Sequence, residues 1–303
     1  MDEKTAAFSP RVSVIIPTLN AGAQLEDLLT ALSTQSYAAG EILIVDSASE
    51  DDTVSLCRRR EGVRVLPIRR EDYDHGRTRD MAMRCCTGDI AVFLTQDAVP
   101  AEAAFLERLI RPLADPSVAI SVGRQLPRKD ATRAEQLVRG FNYPAESFVR
   151  SGEDIPRMGI KAFFCSDSCA AYRKEIYLKL GGFEYPLKTN EDMFFAAKAL
   201  QNGYRIAYAA DARVYHSHNF TLRQQYKRNY IQGYEIERHR ELLGGASLGS
   251  EGLRLVRTVS GQLLKEGAPG SFLGFGLDCC ARWLGSRNGR AACQKEMKNV
   301  QNR

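Results

Sequence analysis

Short apolar segments that alternate with helical patterns place the strongest constraint on the fold of this chain. The first segment, Arg11–Thr18, is continuously apolar from Val14 to Pro17, as is typical of a parallel strand buried on both faces of a sheet. Leucines at helical spacing follow it, and the alternation then repeats. Strands are predicted over 11–18, 41–46, 63–68 and 90–94, with helices over 24–33, 53–60 and 77–86 between them. The sequence therefore predicts an α/β fold with a doubly wound, mainly parallel sheet and flanking helices.

The remainder of the chain has a less regular pattern. Further helices are predicted over 101–113, 132–148, 173–180, 190–201 and 221–243, and further strands over 118–124, 168–172, 205–208 and 214–216. The Gly-rich segment 244–250 is typical of a linker. We therefore expect one large domain over residues 1–243 and a helical C-terminal extension over 251–303.

Composition assigns the chain to the globular class. Its 303 residues are 44% hydrophobic and 26% charged, which excludes disordered and polytopic membrane proteins. The amino terminus lacks the basic and apolar regions of a signal peptide, and no run approaches the ~18 apolar residues of a spanning helix. We therefore expect a cytoplasmic protein.

The C-terminal extension is basic and amphipathic. Residues 251–303 contain nine Lys or Arg against four Asp or Glu, while the whole chain has a net charge of +5. Leu253, Val256, Val259 and Leu263 recur at helical spacing, which suits either an anionic inner membrane leaflet or packing on the main domain. Both alternatives stay open at this point. Nucleic acid is not expected as a partner, because aromatic residues are not interleaved with the basic ones as stacking platforms.

Polar residues follow the first two predicted strands. Pro17, Thr18 and Asn20 come after the first strand, and Asp46 ends the second. In open α/β sheets this edge binds ligands, so these groups are candidates for contacts to a nucleotide. The alternative for Asn20 is a cap on the following helix.

Two signatures are candidates for a metal site. Asp97 lies in Thr95–Ala98 after an apolar strand, where a carboxylate can hold Mg²⁺ or Mn²⁺; the alternative is a turn aspartate. His216 and His218 alternate in an extended segment, so both point to one face and either is a candidate ligand.

Two further signatures begin helices. Glu191 and Asp192 follow Thr189, where Asp192 is a candidate general base and the alternative is a capping box. His75 and Arg79 lie in a loop and helix start that suit binding of a diphosphate or a base.

Taken together, these residues make the chain similar to the large family of inverting glycosyltransferases with the GT-A fold, over about residues 11–240. The motifs that carry this resemblance, in the family's order, are Val14–Asn20, Ile44–Ser47, Gly76–Arg79, Gln96–Ala98 and Glu191–Asp192. A narrower similarity is to the rhamnosyltransferase branch, which uses dTDP-L-rhamnose to build bacterial surface polysaccharides. The segments with this similarity are Tyr73–Arg79, Thr95–Ala98, Gly123–Pro127 and His216–Asn219.

The resemblance implies a role for each candidate residue. Asp192 is implied as the base, Asp97 with His216 or His218 as ligands of Mg²⁺ or Mn²⁺, and Glu191 as an acceptor contact. The residues implied around the nucleotide-sugar donor are Pro17, Thr18, Asn20, Asp46, His75, Arg79 and Gln96. The family's usual pair of metal-binding aspartates is here Gln96-Asp97-Ala98, which leaves one carboxylate, and the rhamnosyltransferase branch shares this departure.

The implied function is inverting transfer of a sugar, with L-rhamnose favoured, to a saccharide or lipid-linked acceptor. The implied catalytic domain, 1–243, divides into a nucleotide-binding half over 11–125 and an acceptor-binding half over 126–243. One alternative is transfer of N-acetylglucosamine or galactose from a UDP donor, because loop shape decides the choice of sugar. Another is a non-catalytic protein that binds nucleotide sugars, which would not need Asp192 together with Asp97.

Overall fold

A computed structural model describes residues 8–247 and 250–301 of the chain. The strands β1 to β9 are, in order, Val12–Thr18, Glu41–Asp46, Val63–Pro67, Ile90–Leu94, Val99–Pro100, Val118–Leu126, Phe148–Arg150, Cys169–Arg173 and Arg205–Tyr215. The helices α1 to α11 are, in order, Gly22–Ser33, Thr53–Arg58, His75–Cys85, Phe105–Ile110, Arg133–Asn142, Ile155–Met158, Lys174–Lys179, Glu191–Gln201, Leu222–Arg238, Ser250–Lys265 and Pro269–Gln301. Short 3₁₀ helices include Gly159–Phe163 and Arg240–Leu243.

The first four predicted strands form one half of the sheet. They are parallel and adjacent in the order β3-β2-β1-β4. Every residue of β4 is buried, and apolar side chains cover both faces of this half. The predicted α/β sheet is confirmed in this half. Its strands have no polar face, and helices therefore cover both sides.

The other half of the sheet is mixed. Strand β8 runs antiparallel between β4 and β6, and β9 is parallel to β6. The prediction of two short strands over 205–208 and 214–216 was wrong, because β9 is one strand across both. A register shift opposite Gly123 and Arg124 accommodates Asp211, whose carboxylate pairs with Arg111. The polar residue that interrupts the sequence pattern thus lies at a bulge rather than in a turn.

The helix predicted over 132–148 is shorter than expected. Helix α5 ends at Asn142, Pro144 follows, and Phe148 already belongs to the edge strand β7. Proline disfavours helical conformation in the residue before it, which explains why the helix stops there.

The C-terminal helices pack on the rest of the molecule. Helix α11 lies along α9 so closely that a Cβ added at Gly289 would lie 2.0 Å from the Tyr230 carbonyl oxygen. The side chains of Val259 and Leu263 in α10 and of Phe275 in α11 are buried against Val138 of α5. Packing, one of the two alternatives for this segment, is therefore present. The division at residues 243 and 251 stays a prediction.

No helix in the described ranges 8–247 and 250–301 has the length and apolar character needed to cross a bilayer.

Candidate active site

Asp97, His216 and His218 form a cluster at the end of the sheet. The His216 and His218 Nε2 atoms are 3.1 Å apart, and each lies 3.5 Å from an oxygen of Asp97. His216 follows β9 and Asp97 follows β4, so two strand ends bring the cluster together. Both histidines lie in the cluster, as their alternation toward one face suggested, and their assignment as metal ligands stays a prediction.

Gln125 orients this cluster; it lies in the segment Gly123–Pro127 of the sequence resemblance, which assigned it no role. The His216 Nδ1 lies 2.8 Å from Gln125 Oε1, and an amide oxygen accepts only, so Nδ1 donates and Nε2 keeps its lone pair. Gln125 also accepts from Arg139 and donates to Ser166 Oγ at 3.0 Å. Burial lowers the pKa of His216 to about 3. The imidazole is therefore neutral at pH 7, as a metal ligand must be.

The donor set fits a divalent cation. Nε2 of His216, a ring nitrogen of His218 and a carboxylate oxygen of Asp97 all lie within 4.8 Å of one another. Each of these atoms can donate a lone pair to a cation placed between them. Imidazole and carboxylate together suit divalent transition metals such as Mn²⁺. Asp97, His216 and His218 are thus the residues that would hold it.

A cleft of about 500 Å³ contains Asp192 in its wall. The Asp167 main-chain N–H donates to Asp192 Oδ2 at 3.2 Å, and the Met193 N–H lies 2.7 Å from Oδ1. The alternative of a capping box from Thr189 was wrong, because Asn190 is the N-cap, in left-handed conformation and without a side-chain cap bond. Asp192 is therefore free to face the cleft.

Two acids beside Asp192, Glu191 and Asp167, share one arginine, Arg79. Burial, with the negative charges of Glu191 and Asp167, raises the pKa of Asp192 well above its usual range. Burial also raises the pKa of Asp167 to about 7 against the opposing charge of Arg79. Although burial acts in the other direction, Arg79 and His75 lower the pKa of Glu191 to about 2. Burial thus raises the pKa of both aspartates, while Glu191 is held ionised by its cationic neighbours.

Arg79 is buried rather than open to a donor. It lies 3.2 Å from both Glu191 Oε1 and Asp167 Oδ2, and the His75 Nδ1 is 3.7 Å from the same Glu191 oxygen. These contacts join α3, the loop before β8 and the start of α8. Arg79 and Glu191 therefore hold the segment that carries Asp192, and their predicted contacts to donor and acceptor stay predictions.

The groups predicted around the nucleotide hold two loops together. Thr18 donates to Asp46 at 3.0 Å, and the Ser49 N–H and hydroxyl complete the bonds of that carboxylate. Asn20, at a φ of 50°, accepts from the Glu50 N–H at 2.9 Å. These contacts order the loops after β1 and β2.

Gln96 links the first of these loops to the strand end that carries Asp97. Its amide oxygen accepts from the Leu19 N–H at 2.9 Å, and its amide nitrogen donates to the Leu19 carbonyl at 3.3 Å. The predicted donor contacts of Thr18, Asn20, Asp46 and Gln96, and that of Pro17 in β1, stay predictions.

Asp192 and the cluster of Asp97, His216 and His218 border the same region. Thr95, two residues before Asp97, lines the cleft that contains Asp192, and so does Ser166, which Gln125 connects to His216. The model of the family described as Glycosyl transferase family 2 matches residues 13–181. This chain belongs to glycosyl transferase family 2. It is a glycosyltransferase, as the sequence motifs predicted.

Sequence similarity to individual relatives extends beyond the residues that the family model matches. The O-antigen chain rhamnosyltransferase RfbN of Salmonella typhimurium is 39% identical over 263 residues, which are 84% of this chain and 82% of that protein. The O-antigen chain rhamnosyltransferase WbaN of Salmonella anatum is 38% identical over 265 residues, 85% of this chain and 82% of that protein.

Solved structures show the same fold. The mannosyltransferase PcManGT from Pyrobaculum calidifontis, in complex with GDP-Man and Mn²⁺, has a TM-score of 0.61 at 20% identity, covering 98% of this chain and 89% of that one. Residues 1–349 of S. aureus TarS give a TM-score of 0.58 at 18% identity, covering 95% and 92%. The predicted GT-A architecture with a C-terminal helical part is confirmed.

Proposed function

We propose that this family 2 enzyme transfers L-rhamnose from dTDP-L-rhamnose, with inversion, to a saccharide or lipid-linked acceptor in synthesis of a bacterial surface polysaccharide. The observation that carries the proposal is the placement of Asp192 in a cleft bordered by the strand end that carries Asp97. The identity of 38–39% with two O-antigen chain rhamnosyltransferases supports rhamnose as the sugar.

Asp192 acts as the general base in this proposal. The acceptor hydroxyl gives its proton to the Asp192 carboxylate while its oxygen attacks the anomeric carbon from the face opposite the diphosphate. One such displacement inverts the configuration and needs no carboxylate nucleophile. Arg79, Glu191 and Asp167 keep Asp192 in place through the contacts already described.

Mg²⁺ or Mn²⁺ is the proposed cofactor, held by Asp97, His216 and His218. When bound, the cation offsets the charge of the leaving diphosphate. The chain's own contribution is to orient His216 through Gln125 and to supply the one carboxylate of the cluster.

A panel of nucleotide sugars tests the donor. Purified protein with Mn²⁺ is incubated with dTDP-L-rhamnose, UDP-N-acetylglucosamine or UDP-galactose, and release of nucleoside diphosphate is measured. We expect release to be fastest with dTDP-L-rhamnose. Preference for a UDP sugar would assign the alternative donor, and binding without release from any of them would support a non-catalytic binding protein.

We also propose that the enzyme works at the cytoplasmic face of the membrane, which it contacts through α10 and α11. Leu273, Leu277 and Leu284 share one face of α11 and are between 42% and 66% exposed. Arg287 and Lys298 follow on the same face. This pattern of apolar and basic residues suits an anionic lipid surface.

A further inference from the structure

A second cavity, of about 360 Å³, opens beside the catalytic cleft. We refer to it as the basic pocket. Its lining includes His75, Lys188, Thr189, Phe220, Lys227 and Arg228. Three of these residues are cations at neutral pH, and no Asp or Glu lines the pocket.

The cations of the basic pocket have no acidic partner in the part of the chain that the structure describes. Among the residues that the structure describes, no carboxylate oxygen lies within 4.0 Å of a side-chain nitrogen of Lys188, Lys227 or Arg228. Arg228 lies over the ring of Phe220, 5.3 Å from its centroid. Most other arginines near the cleft are neutralised; Arg139, for example, pairs with Glu135 at 2.7 Å. Unpaired like charges on one small surface favour an anionic ligand.

The position of the basic pocket indicates which substrate carries the anion. It shares His75, Thr189 and Arg228 with the cleft, and Thr189 comes three residues before the proposed base. Of the residues predicted around the donor, His75 lines it, whereas the loops at Thr18 and Asp46 contribute no described residue to it. The pocket therefore adjoins the side from which the acceptor hydroxyl must approach.

We propose that Lys188 and Lys227 bind a phosphate or diphosphate group carried by the acceptor. Its saccharide would occupy the cleft, with Arg228 at the boundary between the two cavities. Both lysines are exposed, so each ammonium can turn toward phosphate oxygens without disturbing the core. This inference rests on the proposed function and adds that the acceptor is an anionic, phosphate-linked saccharide.

Direct binding tests the inference without requiring turnover. Affinity for geranyl diphosphate is measured by calorimetry in metal-free buffer at low salt, for the wild type and for the double variant Lys188→Gln, Lys227→Gln. We expect the double variant to bind about 10-fold more weakly, because each lysine charge should contribute a factor of about three or more in affinity. Lys129→Gln, an exposed lysine elsewhere, is the matched control and should bind as the wild type does. Wild-type affinity should also fall as salt is added.

Equal affinity of the wild type and the double variant would overturn the inference. A matching loss of dTDP affinity in the double variant would also overturn it, because the anion would then belong to the donor. The proposed function is judged separately, by release of dTDP from dTDP-L-rhamnose with wild-type protein. Absence of that release with retained, lysine-dependent binding of geranyl diphosphate would reject the proposed function but not the anionic pocket.

Discussion

Asp192 lies where the first turn of α8 meets the loop that carries Asp167. Its surroundings explain why the pKa of its carboxyl group differs from that of the adjacent Glu191. Glu191 points to Arg79 and stays ionised, whereas Asp192 receives only main-chain N–H groups. Two adjacent acids therefore have opposite shifts of pKa. This arrangement suits Glu191 to holding the start of α8 and supports the proposal that Asp192 accepts the proton.

Replacement of the proposed base should affect the chemical step. We expect Asp192→Asn to lower kcat by roughly 10²- to 10⁴-fold, as is typical when a general base is lost. The measurement is release of dTDP at saturating donor and acceptor. Asp27→Asn, on the exposed face of α1, serves as the control. Near-normal turnover by Asp192→Asn would refute its role as base.

The raised pKa of Asp192 predicts a pH dependence of activity. A base must be ionised to accept a proton, so kcat/KM should fall as pH decreases through this pKa. The midpoint should lie above the ordinary aspartate value of about 3.9. The residual activity of Asp192→Asn should lack this acidic limb. A midpoint of the wild type at or below 4 would contradict the assignment.

Gln125 should tune metal affinity without touching the cation. Loss of its carbonyl in Gln125→Leu frees the His216 ring to turn, and we expect Mn²⁺ affinity to fall about 10- to 100-fold. Gln125→Glu retains an acceptor and should keep most of the affinity. Titration followed by electron paramagnetic resonance measures both variants. Equal binding by Gln125→Leu would show that His216 needs no such support.

At the level of elements, sequence patterns located strands and helices better than they located contacts. Asp97 and Asp192 could be singled out because each follows an element boundary that the pattern reveals. Gln125 and Asp167 could not, because their importance comes from contacts across the sheet to residues far along the chain. Strand β9 was divided at Asp211 because a local pattern does not distinguish a bulge from a turn.

The contact between α9 and α11 depends on glycine. A Cβ at Gly289 would meet the Tyr230 backbone, so Gly289→Ala should reduce the free energy of unfolding by about 1–3 kcal/mol. Gly276→Ala on the same helix meets nothing within 4 Å and should be neutral or stabilising by up to about 1 kcal/mol. Urea denaturation measures both. Equal stability of the two variants would show that the helices pack less closely than described.

At the scale of the whole molecule, the C-terminal helices have a packed face and an exposed one. Val259, Leu263 and Phe275 are buried against α5, whereas Leu273 and Leu277 remain exposed. The sequence showed apolar residues at helical spacing but gave no means of dividing them between protein and lipid. The two alternatives for the extension are therefore compatible.

The exposed face should determine binding to vesicles. We expect the variant Leu273→Asn, Leu277→Asn to bind anionic vesicles at least about tenfold more weakly, since each buried leucine contributes about 1.5–3 kcal/mol. Flotation with anionic vesicles measures this binding. Leu178→Asn changes an exposed leucine of α7, outside the C-terminal helices, and is the control. If the wild-type protein does not float with the anionic vesicles, the proposed membrane contact is refuted.

Helix α9 presents opposite sides to α11 and to the catalytic cleft. Tyr226, Tyr230 and Gly233 face α11, while Arg228 and Gln232 line the cleft. Helix α11 thus packs on the side of α9 that faces away from the cleft and supports that wall from behind. Its removal would expose the packed side of α9, so we expect a shortened chain to lose order in the wall that contains Arg228 and Gln232.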